Sequence, residues 1–282
     1  MQPNNQVRFV RNEIHINSWE WSMLKISLSL MLVATAAFTS GCASVKQTPV
    51  ALSKAVDGQA GRVGVVMTAL PKLDTQLPGA GCLLCLAVAS VANSKLTAHA
   101  VTLSYEDLPK LKGDMASLLR KNGANVTVIE EPLDLKAVPD FAAKGPNIPS
   151  KNFSSLQQKY HLDKLLVIDI TALGFTRAYS GYLPTSDPKG LFEATGYIVN
   201  FKSNTYDWYL PVNIVKSADL NWDEPPKFPG LTNAYFQSLE LGRDALLRSF
   251  VESAKPVTSP QAKATPTASV SVNVAPVQTA VK

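Results

Sequence analysis

The sequence predicts an α/β (α+β) fold: a single compact domain, with a mixed sheet and helices packed on it. Three observations predict it. The patterns run strand, helix, strand, helix, strand, strand hairpin, helix. The segment "KLLVIDITALGF" (164–175) is a nearly unbroken apolar run, the signature of a strand buried on both faces. Two later segments place apolar residues three and four apart, the period of a helix face. With 46% of 282 residues hydrophobic, there is enough apolar material for one good core.

The chain opens with a targeting pattern. From Met23, "MLKISLSLMLVATAAFTSGC" has a short positive stretch at Lys25, an apolar run from Ile26 to Phe38, small residues Thr39-Ser40-Gly41, and then Cys42. That is the order of an export signal. The apolar run is about a dozen residues, short of the ~20 a helix needs to span a bilayer. A cysteine directly after the small residues resembles the lipobox of bacterial lipoproteins. Three residues before the cysteine, where that family places an aliphatic side chain, this sequence has Thr39. The resemblance implies cleavage before Cys42, lipid on its thiol, and a membrane partnership through that lipid. Ala43 and Ser44 follow the cysteine, with no Asp, which in that family points to the periplasmic face of the outer membrane. An uncleaved anchor or an ordinary signal peptide, with Cys42 incidental, is the alternative. Residues 1–22 carry Glu13, Glu20 and two Trp and do not fit an n-region, so translation is expected to begin at Met23.

The remaining elements follow in order. Residues 42–60 are small and polar and read as a tether, and 61–253 as the domain. "RVGVVMTAL" (62–70) is the first strand, broken by "PKLDTQLPGA". "GCLLCLAVASVAN" (81–93) has almost no polar side chains and is expected in the core, as a helix or hairpin. A lipid- or partner-facing segment is its alternative. "KLTAHAVTL" (95–103) alternates and reads as a strand. Leu108, Leu111, Met115 and Leu118 share a helix face, with Ser104 or Asp107 as cap and Gly123 as stop. "NVTVIEE" (125–131) is a short strand, 132–150 a loop, and Phe153, Leu156 and Tyr160 mark a short helix. After the apolar strand come two more, turning at Ser203-Asn204, with Pro211 placing the second at a sheet edge. Phe236, Leu239, Leu246 and Phe250 line a closing helix. The tail 254–282 is Pro, Ala, Ser, Thr and Val without an acid and is expected to be disordered.

The element order resembles the small α/β domains of the curli-secretion lipoprotein and of the Tol-system propeller protein's N-terminal region. The mature sequence, in blocks such as "DKLLVIDIT" and "WDEPPKFPGLTNAYF", resembles uncharacterised lipoproteins of Gram-negative bacteria. These likenesses imply an envelope location and no particular activity.

Composition narrows the function classes. A net charge of +5, with 27 basic and 22 acidic residues interspersed, lacks the clustered basic face of a nucleic-acid binder. His99 and His161 stand near no nucleophile or phosphate-loop motif. Cys82 and Cys85 form a C-x-x-C. It has three readings: a redox dithiol, a zinc site with His99, or a disulfide or buried thiols. The Leu83-Leu84 centre and scarce cations disfavour the first. The missing fourth ligand disfavours the second, so no metal or cofactor is expected. An oxidising compartment favours the third. Asp169, interrupting the apolar strand, is expected to face solvent or to pair with Arg177, with a functional carboxylate as the alternative. The aromatics of the second half read first as strand packing; if there is a partner surface, Tyr179, Tyr182, Trp208 and Trp222 mark it, with the loops "YSGYLPTSDPKG" and "NWDEPPKFPG" as its place. The function expected is a non-enzymatic, lipid-anchored envelope protein acting as an assembly, scaffold or secretion accessory through contact with another envelope protein; a homo-oligomer is left open. A C-x-x-C enzyme and a glycan or small-ligand binder are the alternatives.

Overall fold

The computed structural model describes residues 47–52 and 61–253. The predicted extension 1–22, the signal 23–41, Cys42 and the tail 254–282 lie outside the described residues, as does the tether 42–60 apart from 47–52. In chain order the strands are β1 (Arg62–Met67), β2 (Asp74–Gln76), β3 (Asn125–Val128), β4 (Lys164–Thr176), β5 (Tyr179–Ser180), β6 (Leu183–Pro184), β7 (Lys189–Asn200) and β8 (Thr205–Ser217). The helices are α1 (Leu83–Ala92), α2 (Ser94–Ala100), α3 (Leu111–Lys121), α4 (Ser154–Tyr160) and α5 (Pro229–Ser253). The predicted mixed α/β architecture is the one observed.

The main sheet has the order β3-β1-β4-β7-β8. β1 lies parallel to β3 and β4, while β4, β7 and β8 form an antiparallel meander. β4 is long enough to pair with two short strands on one edge: Val63–Met67 of β1 against Lys164–Ile168, then β2 against Gly174–Thr176. The alternation of β4 feeds two cores. Leu166, Ile168 and Ile170 join α3, α5 and α2 on one face. Leu165 and Val167 meet Phe153, Leu162, Tyr197 and Tyr206 on the other, beside α4. Pro211 lies on β8, at the sheet edge as predicted.

Helix α5 buries Leu231, Tyr235, Leu239, Leu246 and Phe250, spaced by four or seven residues. Phe236 sits at the flank of that stripe. Gly242 keeps the helix close to β7, since a Cβ there would lie 2.2 Å from the Phe192 ring. The helix predicted after Ser104 begins later than either cap. A short 3₁₀ turn, Leu108–Lys110, holds Pro109 before α3 starts at Leu111.

Two expectations are overturned. Residues 95–103 are not a strand: most of them lie in α2, which buries Leu96 and Ala100 at helical i, i+4 spacing. The segment 81–93 is not core: α1 rests on Cys85 and Ala89 and leaves its other side chains exposed. Strands β2, β5 and β6, each of two or three residues, carry no readable pattern.

A register shift between Ile198 and Val199 leaves Asp207 as the extra residue of β8. Its carboxylate sits 2.7 Å from the ammonium of Lys164, both side chains nearly buried, and accepts from Asn200 Nδ2. Removing one member of such a pair leaves a desolvated charge. Asp207→Ala should therefore cost about 3 kcal/mol, and adding Lys164→Met should recover most of it. Urea unfolding of the single and double variants checks this; equal stability of the single variant and wild type would contradict it.

Candidate functional site

The end of the sheet away from the β7–β8 turn carries the feature that packing does not explain. Past Thr176 the chain makes the β5–β6 hairpin, turning at Gly181 with φ of 60°. Tyr179 of β5 is buried against Ala80, Cys85 and Ala89, a small cluster separate from the two sheet cores. Gly79 touches the Tyr179 backbone, where a Cβ would lie 1.9 Å from the carbonyl oxygen; this site requires glycine. Asn93, buried at the bend between α1 and α2, donates through Nδ2 to Tyr179 Oη (2.6 Å) and to Ala89 O (2.7 Å). Arg177 donates to Asn93 Oδ1 (3.2 Å) and Ser186 O (3.1 Å), and its guanidinium lies 5.1 Å from the Trp222 ring centre. This network fixes α1 to the hairpin.

What the network holds up is apolar and bare. Leu83 is 90% exposed, Leu84 64%, Val91 75% and Leu183 71%, with Tyr182 half exposed beside them. Residues 75–94 and 178–186, brought together here, contain no Asp, Glu, Lys or Arg. An exposed helix usually carries charge on its outer face.

Cys82 and Cys85 are joined by a disulfide at the start of α1. Cys82 Sγ also accepts from the Cys85 backbone N–H at 2.9 Å, so a sulfur takes the place of the usual capping oxygen. Cys85 is buried and Cys82 exposed, with Tyr182 Oη 4.0 Å from the Cys82 sulfur. His99, weighed as a zinc ligand, instead shares a 2.7 Å hydrogen bond with Thr232 Oγ1 and packs between Phe175 and Phe228. Burial and Lys227 hold its pKa below the ordinary histidine value. No group of three metal-ligating side chains occurs among the described residues.

The predicted partner surface divides. Tyr182 is exposed, and Trp222 is half-buried between Arg177 and Phe228. Tyr179 (6% exposed) and Trp208 (1% exposed) are core residues and offer no surface. The period-two run Trp208, Leu210, Val212, Ile214 carried that signal for Trp208. The loop holding Trp222 frames a hollow of about 410 Å³, lined by Leu220, Asn221, Asp223, Glu224 and Pro225; the indole does not line it. The exposed helix α1 is the segment that the sequence reading placed in the core, with a lipid- or partner-facing role only as its alternative.

Asp169 does not pair with Arg177. Its carboxylate accepts from Thr68 Oγ1 at 3.1 Å on the sheet face that holds Tyr197 and Tyr209. Burial raises its pKa, against the pull of the Thr68 hydroxyl. A raised folded value means that its contribution to stability is full below the unfolded value of about 3.9 and is lost as pH rises through the folded one. Asp169→Asn should thus gain stability over wild type at pH 7, and the gap should close towards pH 4. Urea midpoints at the two pH values test it; a wild type that gains on the variant as pH rises would contradict it.

No family model matches this chain, and no curated protein matches it. Solved structures do. The chain is similar to a PelC dodecamer from Paraburkholderia phytofirmans (8% identity, 72% of this chain and 94% of that one, TM-score 0.31). It is similar to a DUF330 protein from Xanthomonas campestris (12% identity, 72% and 91%, TM-score 0.33). It is also similar to the lipoprotein GNA1162 from Neisseria meningitidis (13% identity, 68% and 99%, TM-score 0.25). At TM-scores below 0.5, these likenesses assign no function to this chain.

Proposed function

We propose that this is a lipid-anchored protein of the bacterial cell envelope, held through Cys42 at the periplasmic face of the outer membrane and acting by protein–protein contact. The observation that carries the reading is the uncharged, solvent-exposed tip made by α1 and the β5–β6 hairpin. Exposed apolar surface of this extent marks an interaction site. Two further features support the location. The pattern at 23–42 has the charge, apolar run, small residues and cysteine of a lipoprotein signal. The Cys82–Cys85 disulfide suits an oxidising compartment.

Chain geometry joins anchor to tip. Gln47 Oε1 accepts from the Asn147 backbone N–H, and Val50 exchanges backbone hydrogen bonds with Tyr209. Four residues separate Cys42 from Gln47, and the five steps along the chain reach at most about 18 Å. Along β8 the tip lies roughly 30 Å from that entry. The anchor therefore holds the entry end near the bilayer and leaves the tip for a partner, as an assembly, scaffold or secretion accessory requires. Intact-mass analysis of the chain from native membranes should show diacylglycerol on Cys42, and Cys42→Ser should move the protein to the soluble fraction. An unmodified Cys42, or a serine variant retained as before, sinks the reading.

One observation favours a second reading, a thiol-active protein. The exposed sulfur of Cys82 sits at the N-terminus of α1, where backbone N–H groups stabilise a thiolate. A partner thiolate would attack Cys82 Sγ and release Cys85 as thiolate; the partner's second thiol would then resolve the mixed disulfide, leaving this pair reduced and the partner oxidised. After mild reduction, a Cys82 alkylation midpoint below about pH 7 would support this reading, and one at about pH 8.5 or above would set it aside.

A further inference from the structure

A second site lies apart from the tip, and we infer that it binds a small organic cation: an ammonium or guanidinium group on an apolar stem. The site is the hollow between helix α5 and the segment that leads into α3, about 470 Å³ in volume. That lies within the roughly 300–1,000 Å³ of small-molecule sites.

Two elements form it. On α5, Phe236, Glu240 and Arg243 follow at i, i+4 and i+7, so they share one stripe of the helix, with Leu239 beside them. The other wall is Tyr105, Glu106, Asp107 and Leu108. Bonds within the protein hold both walls. Tyr235 Oη donates to Ser104 O at 2.9 Å, which fastens the 104–108 segment to α5. Tyr105 Oη donates to Pro71 O at 3.0 Å. Arg243 donates to Asp114 Oδ2 at 2.6 Å and ties α5 to α3. The hollow is therefore preformed, and a ligand does not have to order its walls.

The lining sets the body of the ligand. Leu108 and Leu239 reach the hollow although they are only 2% and 4% exposed, so they form an apolar floor. Tyr105 and Phe236 are half-buried and add aromatic surface. An apolar stem is buried on such a floor, and an aromatic ring adds attraction for a cation.

Charge sets the sign. Two of the four charged side chains that line the hollow are already neutralised. Asp107 is 2.7 Å from the ammonium of Lys110, and Arg243 is paired with Asp114. Glu106 and Glu240 take part in no ion pair among the described residues. Glu106 accepts from the Ser104 hydroxyl, which leaves its charge in place. Exposed carboxylates are ordinary on a surface; these two share one hollow with an apolar floor, one from each wall. An anion there would be repelled by both. A neutral molecule would gain from the floor alone. An ammonium on an apolar stem gains from the floor and from both carboxylates.

The test is a titration of the full chain in its soluble Cys42→Ser form, followed by amide NMR. Hexylamine, hexanol and hexanoate share a stem and differ in charge. Hexylamine should shift the amides of 105–108 and 236–243 saturably and bind about tenfold tighter than hexanol, with hexanoate weaker than both. Glu106→Gln with Glu240→Gln should bring hexylamine down to the level of hexanol and leave hexanol binding unchanged. Both side chains are exposed, so the thermal midpoint of this variant should match that of the parent. Equal binding of hexylamine and hexanol, tighter binding of hexanoate, or shifts confined to other carboxylates such as Asp223 and Glu224 would overturn the inference. So would a folded double variant that still prefers the amine. The three-ligand comparison needs no substitution in the hollow, so it decides the matter even if that variant does not fold. The tip contributes no residue to this hollow, and these results leave the proposed function as it stands.

Discussion

Strand β4 is the constraint on which the rest of this structure depends. It has sheet neighbours on both edges and packing on both faces along its first half, and only a continuous apolar run meets that demand. Up to Ile170 its even positions supply the core under α3 and α5 and its odd positions Leu165 and Val167 the core beside α4; past the register shift, Leu173 and Phe175 join the first core. The two parallel strands β1 and β2 share one of its edges end to end, so the length of β4 sets the length of the sheet. At its start, Lys164 is locked to the bulged Asp207, which ties β4 to β8 across the intervening β7.

The same length produces the exposed tip. Past the second core, β4 still runs to Thr176, with β2 on its edge and the β5–β6 hairpin following it beyond the main core. Among the described residues, helix α1 rests on the small cluster around Tyr179 alone. Two of its side chains are buried there, and a polar network of Asn93, Tyr179 and Arg177 takes the place of a larger apolar contact. The network fixes the position of α1 while leaving most of its circumference bare. A rigid, preformed apolar surface binds at lower entropic cost than one that must order on contact.

Much of the fold was legible because period and turn chemistry agreed. The apolar run of β4, the Ser203-Asn204 turn and the helical stripes of α3 and α5 each pointed one way. Misreadings arose where a short segment admits two periods. In residues 95–103, strand alternation competes with the i, i+4 pair Leu96 and Ala100, and the covering core decided for helix. The site was harder. Hydrophobicity records that α1 is apolar but not whether any element of the fold covers it, and among the described residues none does. Residue type likewise marked Trp208 as a binding aromatic, although its alternation with Leu210 and Val212 placed it inward. Tyr179 gave no such signal, since its burial depends on Ala80, Cys85 and Ala89, brought in from about a hundred residues away.

The proposed reading joins a lipid anchor on Cys42 to the exposed apolar tip across the length of the sheet. Its central claim is that the tip is covered in the envelope. Hydrogen–deuterium exchange on the full chain in native membranes, compared with the dilute soluble form, tests this most directly. The account predicts slowed exchange confined to Leu83–Ala92 and 179–184, with the sheet unchanged. Equal exchange of those amides in the two states would contradict it.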